Sequence, residues 1–321
     1  MARSETATVR SALDEAAAAL AASDIPSPSL DAEVLLAHIL GWNRARLFAR
    51  PEYGLSKEQR QRFQAALSRR RDHEPVAYIV GVREFFGLEF FIDRRVLIPR
   101  PETELLVERV LEAATASRHR LGEAATASRH VLGEAATASR HRLGGTATAG
   151  RITLADVGTG SGVVAVSLTV SLPEARVYAT DVSSPALEVA ALNCQRHGVA
   201  DRVHLLAGDL LEPVPEPVDI IAANLPYIPA PDLATLAPDV TQYEPLLALD
   251  GGPDGLAQIS RFLEQAGRWL LPGGVAVLEI GAGQGVQVTD LARRWFPAAR
   301  IDLFLDYAGL DRVVRIMTPG A

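Results

Sequence analysis

The sequence contains a single cysteine, Cys194, and a single lysine, Lys57, among its 321 residues. One thiol excludes an intrachain disulfide and a cysteine-based metal site. No stretch approaches the roughly 18 uninterrupted apolar residues that a membrane span requires, so no membrane association is expected. The opening "MARSETATVRSALDEAAAAL" places acidic residues inside its alanine-rich part and lacks the architecture of a secretory leader. A cytoplasmic location is the natural expectation. An excess of positive charge is missing as well. The formal net charge of -7 argues against a chain that coats nucleic acid by charge alone. The basic residues are almost all arginine, which together with abundant alanine reflects codon composition rather than chemistry. Hydrophobic content of 48% and charged content of 22% are ordinary for a globular chain. The length accommodates one large domain and a smaller one.

Residues 1–80 read as a small helical domain. "VRSALDEAAAALAASDI" and "SLDAEVLLAHILGW" carry apolar residues at helical spacing, with "PSPS" as a break between them. "SKEQRQRFQAALSRRRDHEP" reads as a third, amphipathic helix closed by Pro75. Arg69, Arg70 and Arg71 lie on it, as a solvated face or as a contact for an acidic partner surface. Over residues 81–111 the pattern changes. Alternating aromatic and aliphatic residues around Gly87 predict a β-hairpin from Arg83 to Ile98, followed by a turn at "RPETE" into another helix. There, acidic residues favour the helix N-terminal dipole.

Residues 112–150 hold an internal repeat of period 11: Glu112–Gly122, Glu123–Gly133 and Glu134–Gly144. The copies differ only at Arg120, Val131 and Arg142, as expected of a short tandem duplication. His119, His130 and His141 recur with it. A glycine and a loose "TAS" in each copy predict a frayed helical linker rather than a metal site.

From residue 151 to 321, strands alternate with helices. The strands are "ITLADVG", "ARVYATD", "RVHLLAGD", "VDIIAAN", "GVAVLEIG", "RIDLFLD" and "RVVRIM". Near-continuous apolar strands separated by helices predict a parallel sheet covered on both faces. Only "YAGLD" joins the last two strands. That length permits a hairpin but no helical crossover, so the seventh strand should run antiparallel. The fold class is therefore α/β, a Rossmann-like methyltransferase sheet of seven strands, with an N-terminal helical domain and a hairpin linker.

The strand ends carry the candidate site. Gly158, Thr159, Gly160, Ser161 and Gly162 form a Gly-x-Gly-x-Gly turn after the first strand, where the backbone can approach a ligand closely. A dinucleotide fingerprint would be Gly-x-Gly-x-x-Gly, so the spacing suits S-adenosylmethionine, which has no pyrophosphate. Asp181 ends strand two, placed to accept ribose hydroxyls. Asp209 ends strand three, placed to meet an adenine edge, with Leu210 beside it. Asn224 ends strand four and opens "NLPY". The Asn224 side-chain oxygen and the Leu225 carbonyl can accept the two N–H bonds of a planar NH2 group. Pro226 stiffens the turn, and Tyr227 can stack on the flat face. Methyl transfer is an in-line displacement, for which positioning and electrostatics suffice. The simpler readings are a helix cap for each aspartate, and a turn with a core tyrosine for "NLPY".

Together, "AYIVGVREFFGLEFFIDRRVLIPRPETELLVE", "DVGTGSG", "ATDVSSPALEVAALN", "GDLLEP", "NLPYIP", "QYEPLLALDGGPDGL" and "LLPGGVAVLEIG" resemble the release factor glutamine N5-methyltransferases, the PrmC/HemK family. The resemblance covers nearly the whole chain outside the repeat. It implies methylation of the glutamine side chain in the Gly-Gly-Gln loop of peptide-chain release factors, in support of translation termination. It further implies that Gly158–Gly162, Asp181, Leu210 and Asn224 contact the cofactor, and that Asn224, Leu225, Pro226 and Tyr227 hold the glutamine amide. The helical domain and hairpin would grip the release factor.

The family's usual motif is Asn-Pro-Pro-Tyr; here Leu225 replaces the first proline. Asn-Leu-Pro-Tyr also occurs in adenine dimethyltransferases of ribosomal RNA, so an adenine-N6 nucleic-acid methyltransferase stands as an alternative. A ribosomal-protein glutamine methyltransferase is another, although its members resemble "PRSPIAELI" where this chain has "PRPETELLVE". A third is a binding module with a decayed site, which the retained glycines, Asp181, Asn224 and Tyr227 argue against. The acidic net charge favours the release-factor reading, with no direct nucleic acid required and a monomer as the expected state.

Overall fold

The structure is a computed structural model that describes residues 7–131 and 152–320. The chain divides into two compact units. The first comprises Met1–Arg83, Ile92–Arg94 and Ala234–Pro245, and the second Glu84–Phe91, Arg95–Leu233 and Leu246–Ala321.

The first unit is helical: α1 (Val9–Ala21), α2 (Pro28–Leu40), α3 (Arg44–Ala49), α4 (Lys57–Arg71) and α5 (Val76–Val80). Two helices start on capping boxes, Thr8 with Ser11 and Ser56 with Gln59, which satisfy first-turn N–H groups reciprocally. Their apolar stripes meet in a core that includes Val9, Leu20, Leu35, Leu36, Leu55 and Phe63. Helices α3 and α5 span under two turns each, too short for a periodic signal. Arg70 on α4 is buried. Its Nε donates to the Asp31 carboxylate at 2.6 Å, and Nη1 donates to the Glu74 carbonyl at 3.2 Å. Arg69 and Arg94 both bond the buried Glu74 carboxylate.

In sequence after α5, β1 (Val82–Phe85) and β2 (Leu88–Phe91) form the hairpin, with positive φ at Phe86 and Gly87 in its two-residue turn. It is shorter than the sequence suggests. Past Phe91 the chain turns at Arg94 and Arg95, and Pro99 and Pro101 lack the N–H that a ladder needs. Helix α6 spans Thr103–Val131. It therefore runs through the first repeat copy and into the second, because the alanine, glutamate, arginine and leucine of each copy are strong helix formers that offset one glycine. The third copy, with His141, lies outside the described residues.

The second unit is built on a seven-stranded sheet. Its elements are β3 (Thr153–Val157), α7 (Val163–Ser171), β4 (Arg176–Asp181), α8 (Ser184–Arg196), β5 (Val203–Ala207) and β6 (Val218–Asn224). After α9 (Pro238–Tyr243), which belongs to the first unit, come α10 (Ala257–Trp269), β7 (Leu270–Glu279), α11 (Gly285–Trp295), β8 (Arg300–Leu305) and β9 (Asp311–Met317). The strand order is β5-β4-β3-β6-β7-β9-β8. The five strands from β5 to β7 are parallel, whereas β9 pairs antiparallel with both β7 and β8. This is the antiparallel seventh strand expected from the short "YAGLD" connection. The centres of the inner strands β3, β4, β6 and β7 are fully buried, with Leu154, Val177, Ile221 and Val277 among the core residues. Thus the carboxyl ends of the adjacent strands β5, β4, β3, β6 and β7 open onto one edge. Among the described residues no helix is long and apolar enough to cross a membrane.

Candidate active site

The glycine turn after β3 is bound to its neighbour strand. Gly158 and Thr159 both donate N–H bonds of 2.9 Å to the Thr180 carbonyl. The Gly160 N–H donates to Asp181 Oδ2 at 2.9 Å, and the Ser183 N–H to Oδ1 at 2.8 Å. Burial raises the Asp181 pKa, while these backbone N–H bonds oppose the shift. The Asp181 carboxylate keeps further lone-pair capacity, since a carboxylate offers about four acceptor sites. Val182 follows it with 52% of its surface exposed, an apolar face next to an acceptor.

Beneath the turn, buried Asp156 accepts from the Thr159 hydroxyl at 2.6 Å and from the Ala165 N–H at 3.1 Å. Desolvation pushes its carboxyl up to about 6. Buried Asn193 of α8 ties the turn to the hairpin. Its Nδ2 donates to the Ser161 carbonyl at 2.8 Å and to the Phe91 carbonyl at 3.0 Å, and Oδ1 accepts from the Phe91 N–H at 2.8 Å. Gly162, with positive φ, leads into α7.

Asp209 lies two residues beyond the end of β5, and its carboxylate is paired with Arg261 of α10. Leu210 adopts a φ of 48°, with its carbonyl accepting from the buried Thr180 hydroxyl at 2.7 Å. The same adjacent strand ends therefore hold Gly158–Gly162, Asp181 and Leu210, while Asp209 is already engaged by a cation.

Asn224 is the last residue of β6 and the register partner of Glu279, the last residue of β7. Asn224 Nδ2 donates to Thr103 Oγ1 at 3.1 Å and to Glu279 Oε2 at 3.0 Å. Both amide hydrogens are thereby used. Among the described residues nothing donates to Asn224 Oδ1 or to the Leu225 carbonyl. The Leu225 side chain is buried in the core of the second unit. A Cβ added at Gly158, whose φ is +73°, would lie 3.2 Å from Leu225 Cδ2. Residue 225 thus closes the space beneath the glycine turn, a packing role that sequence alone does not reveal. The Tyr227 hydroxyl donates to Glu279 Oε1 at 3.3 Å. Desolvation pushes the Glu279 carboxyl up to about 7 and raises the Tyr227 phenol as well.

The segment 224–230 is braced from behind by "LDGGPDGL". The Ile228 N–H donates to the Leu249 carbonyl, Gly251 to Ile228, and Ala230 to Gly252, at 3.1, 2.9 and 2.8 Å. Gln284 Nε2 donates to the Tyr227 carbonyl at 3.0 Å. Thr103, Asp156, Asn193, Glu279 and Gln284 received no role from sequence reasoning. Four of them fall in the stretches that carry the family resemblance, and that is the signal from which they could have been found.

Comparison with known proteins agrees with this architecture. Residues 11–81 match the PrmC N-terminal domain family, and residues 141–248 match the family described as ribosomal protein L11 methyltransferase (PrmA). The release factor glutamine methyltransferase of Moorella thermoacetica is 43% identical over 95% of this chain and 96% of its own length. That of Chlorobaculum tepidum is 37% identical over 91% of each chain. The solved hMettl16 catalytic domain, in complex with the MAT2A 3'UTR hairpin 6, aligns with a TM-score of 0.50 at 14% identity, covering 81% of this chain and 82% of its own. That likeness concerns the fold alone. On identity and coverage together, the chain belongs to the release factor glutamine methyltransferase family.

Proposed function

We propose that this enzyme transfers a methyl group from S-adenosylmethionine to the side-chain amide nitrogen (N5) of the glutamine in the Gly-Gly-Gln loop of peptide-chain release factors. The observation that carries the reading is the pair of unclaimed acceptors, Asn224 Oδ1 and the Leu225 carbonyl, next to the Tyr227 ring. The residues at the neighbouring strand ends fit the cofactor. Gly158–Gly162 offer close backbone approach, the Asp181 carboxylate has spare lone pairs for ribose hydroxyls, Val182 offers an apolar face, and Leu210 lies beyond it. Asp209 joins this set only by leaving or sharing Arg261. When bound, S-adenosylmethionine supplies an electrophilic methyl on a good leaving group.

The chain's own groups then have three tasks. Asn224 Oδ1 and the Leu225 carbonyl accept the two substrate N–H bonds, which fixes the plane of the amide and so presents the nitrogen lone pair, perpendicular to that plane, on the face opposite Tyr227. As nitrogen becomes positive during attack, these two oxygen dipoles already point at the developing charge and need no reorganisation. Tyr227, held at its hydroxyl by Glu279 and at its carbonyl by Gln284, covers the flat face of the amide and excludes water. No strong base is required before attack; the extra proton leaves afterwards.

The substrate is a protein of the translation machinery, so the proposed site of action is the cytoplasm, without a requirement for nucleic acid and with the chain acting as a monomer. The test is methyl transfer from labelled cofactor to a full-length release factor, to the same factor with its loop glutamine changed to alanine, and to ribosomal RNA. Label confined to the loop glutamine, verified by peptide mass mapping, is the expected result. Label on RNA would overturn the substrate assignment.

A further inference from the structure

Glu279 is a carboxylate that the proposed mechanism leaves unused, although it touches both groups that face the substrate. It is 1% exposed, at the end of an inner strand. Burying an ionisable group there is costly unless its oxygens are satisfied by donors. The donors are specific. Oε2 accepts from Asn224 Nδ2 at 3.0 Å, Oε1 accepts from the Tyr227 hydroxyl at 3.3 Å, and the Thr103 hydroxyl bonds the same carboxylate. Asn224 is therefore linked to Thr103 and Glu279 through its nitrogen, so only its oxygen is left to face a ligand.

Resting on the glutamine-methylation reading, we propose that Glu279 is a positioning residue whose buried negative charge orients and polarises Asn224 and fixes the Tyr227 ring. A hydrogen bond from an amide N–H to an anion shifts electron density towards the amide oxygen. Asn224 Oδ1 is then a stronger acceptor for the substrate N–H, most of all when that nitrogen turns positive. The groups around the carboxylate are mixed. Tyr227 and Thr103 donate to it, Arg312 of β9 favours its charge, and Glu102 before α6 opposes it. Arg100 bears on Tyr227. Burial dominates and sets the Glu279 titration near 7. In the proton-loaded form the charge behind Asn224 vanishes, so transfer should rise with pH through neutrality and then level off.

The experiment compares wild type with Glu279→Gln in the full chain. Glutamine keeps the shape and can still accept from Asn224, but it carries no charge. Expected are a fall in kcat of about tenfold to a hundredfold, as is typical when an orienting partner behind a ligand-facing group is lost, a cofactor affinity within about twofold, and loss of the acid limb of the pH profile. A purely structural carboxylate would give a Gln variant with a changed melting temperature and the acid limb intact, and that result overturns the proposal. A readout without substrate separates this from failure of the substrate assignment. In the cofactor-bound wild type, the Asn224 side-chain 15N–1H signals should titrate near neutrality, and in Glu279→Gln they should not. If no release factor is methylated while that titration is seen, the substrate assignment falls and the coupling of Glu279 to Asn224 stands. If the signals do not titrate in wild type, the proposal falls.

Discussion

Replacing Gly255 by alanine tests whether the "DGGPDG" loop sets the position of Tyr227. Gly255 has a φ of +77°, and a Cβ built on it would lie 2.3 Å from the Tyr227 carbonyl oxygen and 2.8 Å from Gln284 Nε2. Two costs follow. A left-handed conformation costs an L-residue roughly 1–2 kcal/mol. Forcing an extra carbon onto a backbone oxygen is overpacking, and costs about 1–3 kcal/mol more. Gly309 provides the control, because its φ is +79° while nothing lies within 4 Å of its added Cβ. Gly309→Ala thus reports the conformational cost alone. For a unit of this size, each kcal/mol lowers the melting temperature by about 2–4 °C. The expected drops are roughly 2–8 °C for Gly309→Ala and roughly 4–20 °C for Gly255→Ala, read by circular dichroism in one buffer. Methyl transfer should also fall at least about tenfold in Gly255→Ala, because a displaced Tyr227 carbonyl moves the residues that position the substrate. If Gly255→Ala melts no lower than Gly309→Ala, the contact with Tyr227 is not tight and the bracing argument fails.

Three further outcomes follow from the contacts described. Arg70→Met leaves the buried Asp31 charge without its partner and should destabilise the helical unit by about 3–5 kcal/mol, whereas adding Asp31→Leu should restore most of that in denaturant melts. The Arg69 hydrogen bond, followed by Arg94, holds the Glu74 carboxyl below its usual range against desolvation. A depressed folded pKa means stability that is complete above the unfolded value, about 4.3, and lost as pH falls through the folded value. Melting temperature should therefore drop more steeply below about pH 4.3 in wild type than in Glu74→Gln. Asn193→Ala leaves the Ser161 carbonyl and both backbone groups of Phe91 without their partner. It should cost about 3 kcal/mol and weaken cofactor binding, measured by calorimetry, more than it slows the bound-state transfer step.

The parts of this molecule that are local in sequence are legible in it. Apolar strands such as Leu154–Val157 and Ile220–Ala223, separated by amphipathic helices, specify a covered parallel sheet. The five residues "YAGLD" suffice to infer the antiparallel strand. Asn224 is legible as a strand-end amide beside a proline and a tyrosine. The groups behind it are not. Thr103 is 121 residues from Asn224 and Glu279 is 55 residues away, and no periodicity relates such positions. Glu279 reads as one polar residue closing an apolar strand, and only the parallel register with Asn224 turns it into part of the site. Leu225 reads as a departure from a proline motif; its burial beneath the glycine turn gives the side chain a task of its own. Asp209 illustrates the opposite case. Its position in "AGDL" suggests a free carboxylate, and the arginine that engages it lies 52 residues further along the chain.

The order β7-β9-β8 has a consequence for how the chain is made. Strand β8 emerges from the ribosome before β9, yet its ladder partner is β9 alone. During synthesis of the roughly dozen residues that separate the two strands' ends, about 0.6–2.4 seconds at ordinary translation rates, β8 has no ladder partner. Leu303 and Leu305, on its more exposed face, are then on offer to other nascent chains. Arg300 and Asp302 flank that stretch with charge, and each finds a partner within the finished β8–β9 pair, Asp302 bonding both Arg300 and Arg315. The sheet therefore closes only once β9 has been made, and charge within the waiting strand guards β8 until its partner arrives.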